Sequence, residues 1–210
     1  MSINTNQQTS SSLATKGAQT RQRIIEVAAE LIHRQGYHYT GLQQILTEAG
    51  VTKGAFYFHF KDKKALALAV IEHFGGFFRQ VFAKSLLDQS LSPWQQLEGF
   101  QQQILQLFST QDVICGCPIG NLTLEMAAMD EDMQQHLAAA LGRLSNRFAA
   151  VISQGQQQQC FISHVPAQSL ADFLVNSWQG AVLRVKAEQS LQPLHDWFSS
   201  VRMILQPPQR

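Results

Sequence analysis

Residues 40–63 read TGLQQILTEAGVTKGAFYFHFKDK, and this stretch decides the fold. Leu42, Ile45, Leu46 and Ala49 recur at helical spacing, so a short amphipathic helix is expected there, stopped at Gly50. Thr52 is a good N-cap, and a third helix should run from it to about His59. A tight turn at Gly50 and Val51 joins the two, because glycine accepts the backbone angles of such a turn. Val51 and Phe56 would pack inward on Ile45 and Leu46. The outward face then offers Thr52, Lys53, Gly54, Ala55, Tyr57 and His59.

That face suits DNA. Gly54 and Ala55 let a helix approach base edges, and Ala55 can touch a thymine methyl. Lys53, Tyr57 and Lys63 are assigned to phosphates, which position a protein without reading sequence. Thr40 and Gln43, at the start of the preceding helix, complete the expected DNA contacts.

Upstream, Ile25, Ala28, Ala29 and Ile32 share one face, widened by Ile24, Val27 and Leu31, and Gly36 ends that helix. It is expected to begin at Thr20, with residues 1–19 a low-complexity, disordered tail. Downstream, a long helix should start at Asp62 and loosen at Gly75 and Gly76. Further helices are expected at about 93–109, 118–129, 131–156, 166–189 and 192–205. Ser92-Pro93 and Val165-Pro166 mark starts, and Pro207-Pro208 marks a stop. The expected architecture is all-α: a helix-turn-helix head over 20–66 fused to a larger ligand-binding and dimerisation domain over 67–210.

Charge follows the same division. Residues 16–84 hold ten Lys and Arg against five Asp and Glu; residues 85–210 hold six against ten. A basic head on an acidic body fits a protein that presents one end to a polyanion. There is no uninterrupted apolar run of membrane-spanning length and no apolar signal segment, so no membrane partner is expected. Three cysteines make no disulfide framework, which reads as a reducing cytoplasm. No nucleophile elbow, phosphate-binding glycine loop or His-Glu-x-x-His is present, and Cys115-x-Cys117 offers too few clustered ligands for a metal. No cofactor, metal or catalysis is expected. An architectural DNA-binding protein without an effector and a helical-bundle enzyme remain the alternatives to a regulator.

Residues 20–70, with the A-G-V-x-K-G-x-x-Y-x-x-F core from Ala49 to Phe60, resemble the DNA-binding signature of the tetracycline-repressor (TetR) family. Gln44 and Leu46 depart from the commonest pattern, an acidic residue before the Ile and an Ala after it; they resemble a branch with T-G-x-x-x-I-L. Gly116-Cys117-Pro118-Ile119-Gly120-Asn121-Leu122, followed by Glu125, resembles a segment of the same branch that opens a helix beside the ligand pocket. Members of that branch often control detoxification or reductase genes and respond to small, sometimes electrophilic, compounds.

The resemblance implies a bacterial repressor with about nine helices. It also implies a near-palindromic operator, a small-molecule effector and a homodimer closed by the last two helices. Leu170, Phe173, Trp178, Trp197, Phe198 and Val201 are the expected dimer contacts. Phe78, Trp94, Met126, Cys115 and Cys117 are the expected effector or redox-sensing residues. Phe78, Trp94 and Met126 come from a wider aromatic and Met set that includes Phe74, Phe77, Phe82, Phe100, Phe108 and Met129. Pro118 suits a first helical position, which puts Cys117 at the N-cap. There the helix dipole would lower its thiol pKa and make it a sensor.

Overall fold

The computed structural model describes residues 5–128 and 130–208, with side chains from residue 16 onward. Nine α-helices and one 3-10 turn occur among them. They are α1 (Thr5–Gln35), α2 (Leu42–Ala49), α3 (Lys53–His59), α4 (Lys63–Val81), α5 (Pro93–Ser109), α6 (Pro118–Met126), α7 (Glu131–Gln157), α8 (Ala167–Glu188) and α9 (Gln192–Leu205); the 3-10 turn, Phe82–Lys84, follows α4.

Two expectations are corrected. Helix α1 begins at Thr5, not Thr20, so residues 5–19 are an extension of a helix and not a disordered tail. No proline interrupts this stretch. Residues 1–4 of the expected tail lie outside the described residues. Helix α4 also runs unbroken through Gly75 and Gly76. Two glycines lower helix propensity without breaking the hydrogen-bond ladder.

The chain forms two compact units, up to Phe74 and from Gly75, against an expected boundary between 66 and 67. Unit one is built from α1, α2, α3 and the first part of α4. Ile24, Ala28, Ile45, Phe56, Leu66 and Ile71 form its interior, each fully buried. Residues 63–84 are long and apolar enough to cross a membrane by composition alone. However, Leu66, Ala67, Val70, Ile71 and Phe74 are buried in the protein.

Unit two has one aromatic centre. Phe100 stands 5.1 Å from Phe148 and 5.3 Å from Trp178, which in turn lies 5.3 Å from Trp197. Trp197 donates its indole N–H to Ser177 Oγ at 2.8 Å, so its one polar atom is satisfied. This packing buries most of the expected dimer contacts within one chain. Leu170, Trp178, Trp197, Phe198 and Val201 are each 8% exposed or less within a single chain. They hold the chain's own core because the broad apolar faces of α8 and α9 pack on each other and on α5 and α7. Of the expected set only Phe173 stays exposed, at 53%.

Candidate DNA interface and effector cleft

Helices α2 and α3 form the expected helix-turn-helix. Gly50 closes α2 in the left-handed region (φ 61°), and Val51 N–H donates to the Leu46 carbonyl at 3.0 Å. Thr52 Oγ accepts the Ala55 N–H at 3.2 Å and caps α3. Phe56 is fully buried and packs on Phe60, 5.6 Å away, one helical turn on. With these two rings turned inward, Lys53, Gly54 and Tyr57 are exposed and Ala55 and His59 partly so. Lys53 Nζ lies 6.0 Å from the centre of the Tyr57 ring, so cation and phenol share a face. Gln43 is exposed on α2. Nothing but Thr52 Oγ, at 3.9 Å, lies near the position a Cβ would take on Gly54. A backbone or base edge can therefore come close there.

Two assigned DNA contacts sit elsewhere. Thr40 is fully buried, and its hydroxyl donates to the Gly36 carbonyl at 2.7 Å. It satisfies the end of α1 and presents nothing to a ligand. Lys63 Nζ donates to the Tyr37 carbonyl at 2.6 Å and lies 4.1 Å from that residue's ring centre. Its charge braces the segment between α1 and α2, so its replacement would disturb unit one along with any phosphate contact.

Phe58, 80% exposed, and Tyr39, 85% exposed, are missing from the sequence-based set. The signal for Phe58 was present. If Phe56 and Phe60 face inward at i and i+4, the intervening aromatics must face out. An exposed phenyl on α3 is suited to a thymine methyl.

In unit two, the start of α6 with α7 and α8 borders an open cleft of about 320 Å³. Gly116, Cys117, Asn121, Gln179 and Lys186 line it together with apolar groups such as Leu141 and Leu183. Cys117 is the N-cap of α6 as expected; its Sγ accepts the Gly120 N–H at 3.4 Å and a Gln179 N–H at 3.6 Å. Asn121 ties the cleft together, donating to the Cys115 carbonyl at 2.8 Å and accepting from Lys186 Nζ at 3.2 Å. A Cβ on Gly120 would stand 2.6 Å from Gln179 Oε1, so a larger residue there would push the Gln179 amide aside.

The electrostatic expectation for Cys117 is reversed. Burial raises its thiol pKa above the ordinary value, outweighing the lowering by the Gly120, Gln179 and Ile119 hydrogen bonds. The thiol is therefore protonated at neutral pH. Its alkylation by N-ethylmaleimide should quicken by about tenfold from pH 7 to 8, as the thiolate fraction grows. A rate already level at pH 7 would show an acidic thiol instead.

The remaining expected effector residues do not join this cleft. Phe78 stacks on Phe82 at 5.7 Å, Trp94 packs edge-on against Phe161 at 4.7 Å under the Arg202 guanidinium, and Met126 is buried on α6. Phe74 belongs to unit one, against His33. Met129 lies outside the described residues. Cys115, Cys117 and Cys160 are free thiols.

Residues 24–70 match the family described as bacterial regulatory proteins, tetR family. Residues 93–199 match the C-terminal domain of LmrA/YxaF-like transcriptional regulators. The chain is 30% identical to the HTH-type transcriptional repressor DhaR of Mycobacterium sp. (strain GP1), over 89% of this chain and 92% of that one. It is 32% identical to the transcriptional regulator AcuR of Cereibacter sphaeroides, over 84% and 80%. A crystal structure of a TetR regulatory protein from Rhodobacter sphaeroides superposes with a TM-score of 0.81 at 29% identity, covering 88% of this chain and 97% of that one. The capped helix-turn-helix, the all-helical second unit and these matches together place the chain in the TetR family of DNA-binding transcription regulators.

Proposed function

We propose that this repressor acts as a homodimer on a near-palindromic operator and is released when a small molecule enters the Cys117 cleft. The observation that carries the first part is the α3 surface: a capped helix whose exposed side combines small residues, a cation and aromatic rings. Two such heads related by two-fold symmetry meet successive major grooves about 34–36 Å apart.

Burial of the expected set within one chain favours other groups for the dimer contacts. On α8, Phe173, Asn176, Gly180 and Leu183 form an exposed stripe opposite the buried Leu174, Trp178, Val182 and Val185. Met203 on α9 is 71% exposed. These are the groups we assign to the interface between subunits.

The cleft supports the effector reading. Its volume suits a compact compound, with Gln179, Asn121 and Lys186 for a polar end and Leu141 for an apolar one. Cys117 gives an electrophile a nucleophile to add to. Maleimide is a suitable probe: Sγ bonds to a ring carbon and the thiol proton passes through water to its neighbour. Cys117→Ser keeps an N-cap oxygen and should bind operator like the parent. N-ethylmaleimide should release the parent at least about tenfold more readily than this variant. Equal release of the two proteins would remove Cys117 from the effector mechanism.

A further inference from the structure

Unit two contains a second cleft, of about 520 Å³, between the segment after α4, the start of α5 and the later half of α7. Leu86, Leu87, Ala150 and Val151 give it apolar walls; Gln96 and Arg147 are among its polar groups. It shares no lining residue with the Cys117 cleft.

Gln96 is 2% exposed, and its amide orientation is settled by one bond. Nε2 donates to the Asp88 carbonyl at 2.7 Å, and the reversed amide would set two oxygens against each other. Oε1 is thereby left buried without a donor. Such an orphan is rare in folded proteins and calls for a partner. Arg147 makes the complementary demand. Its guanidinium lies 5.6 Å from the centre of the Phe82 ring, and among the described residues it forms no ion pair. Burial and the charges of Arg79 and Arg143 lower its pKa, which for a guanidinium still leaves it protonated. An anion would complement Arg147 and a hydrogen-bond donor would complement Gln96 Oε1.

We infer that this cleft is a second ligand site, for a small carboxylate that also carries a hydroxyl or N–H group. The carboxylate pairs with the Arg147 guanidinium, the ligand's donor satisfies Gln96 Oε1, and the ligand body rests on Leu87, Ala150 and Val151. Arginine suits a planar carboxylate through paired N–H bonds. A site built to bond a hydroxyl rejects the analogue without one, because its own polar group is again left unpaired.

The test is calorimetric titration of the full chain with 3- and 4-hydroxybenzoate, and with benzoate and phenol, each of which keeps one of the two groups. At least one hydroxybenzoate should bind with submillimolar affinity, and benzoate and phenol should bind about tenfold or more weakly than it. Ala150 is exposed on α7, so Ala150→Trp should fill the cleft, leave thermal unfolding close to the parent's and abolish binding. Arg147→Gln should weaken the hydroxybenzoate by about tenfold or more and leave phenol unchanged. The proposal is overturned if neither hydroxybenzoate binds, if benzoate matches them, or if folded Ala150→Trp or Arg147→Gln binds like the parent.

Discussion

Replacing Phe173 and Leu183 together by Asp is expected to turn the dimer into folded monomers and to collapse operator affinity. Both side chains are more than half exposed in a single chain, so the substitutions leave the core intact. Surface changes of this kind usually move stability by about 0.5 kcal/mol or less. In a two-fold interface each change occurs twice, on self-complementary surfaces. The carboxylates would enter a contact built on apolar groups, at a cost of about 3–5 kcal/mol for each charge that stays buried and uncompensated. A few kcal/mol already weakens association about a thousandfold. Operator affinity should fall with it, because a lone head reaches one half-site. Sedimentation and operator titration at one protein concentration check this. A monomer that still holds the full operator, or a dimer unaffected by the pair of Asp residues, contradicts the assignment.

The contrast with Trp178 shows what was legible in the sequence. Helical periodicity identifies the apolar faces of α8 and α9, but it marks a face as buried without saying what buries it. Trp178, Trp197 and Phe198 fill the chain's own centre around Phe100. The face left outside is sparse in apolar groups, with Phe173 and Leu183 set among Asn176 and Gly180, and carries a weak periodic signal. The helix-turn-helix was legible for the opposite reason. Its turn glycine, capping threonine and inward aromatic pair are all local, and they agree with one another. Thr40 read as a surface residue because its hydroxyl's partner, the Gly36 carbonyl, becomes visible only when the turn after α1 is folded.

Cys117 divides along the same line. Its N-cap position follows from Pro118 one residue later, whereas its acidity depends on burial and on the Gln179 hydrogen bond, and Gln179 comes from the distant α8. The Gln96–Arg147 cleft was illegible for that reason too, since its groups come from α5 and α7. The helical reach of α1 back to Thr5 was masked by the polar, serine-rich composition of residues 5–19.

Gly54→Glu is expected to have the second largest effect. Gly54 follows Lys53 and is the second residue of α3, where a carboxylate suits the positive end of the helix dipole. It also replaces glycine, the weakest helix former apart from proline. Space is open at its Cβ, so folding and dimerisation should survive. On the α3 face, however, the new charge would stand against the phosphates and base edges, and operator affinity should drop about a hundredfold or more.

The most direct measurement of the central claim is a footprint of the parent and of Gly54→Glu on DNA fragments selected by the parent from its own genome. The parent is expected to protect a near-palindrome whose half-sites lie about 34–36 Å apart, or a multiple of that, and the folded Gly54→Glu dimer to protect nothing at the same concentration. Equal protection by both proteins, or parent binding that favours no sequence, would contradict sequence-specific recognition by α3.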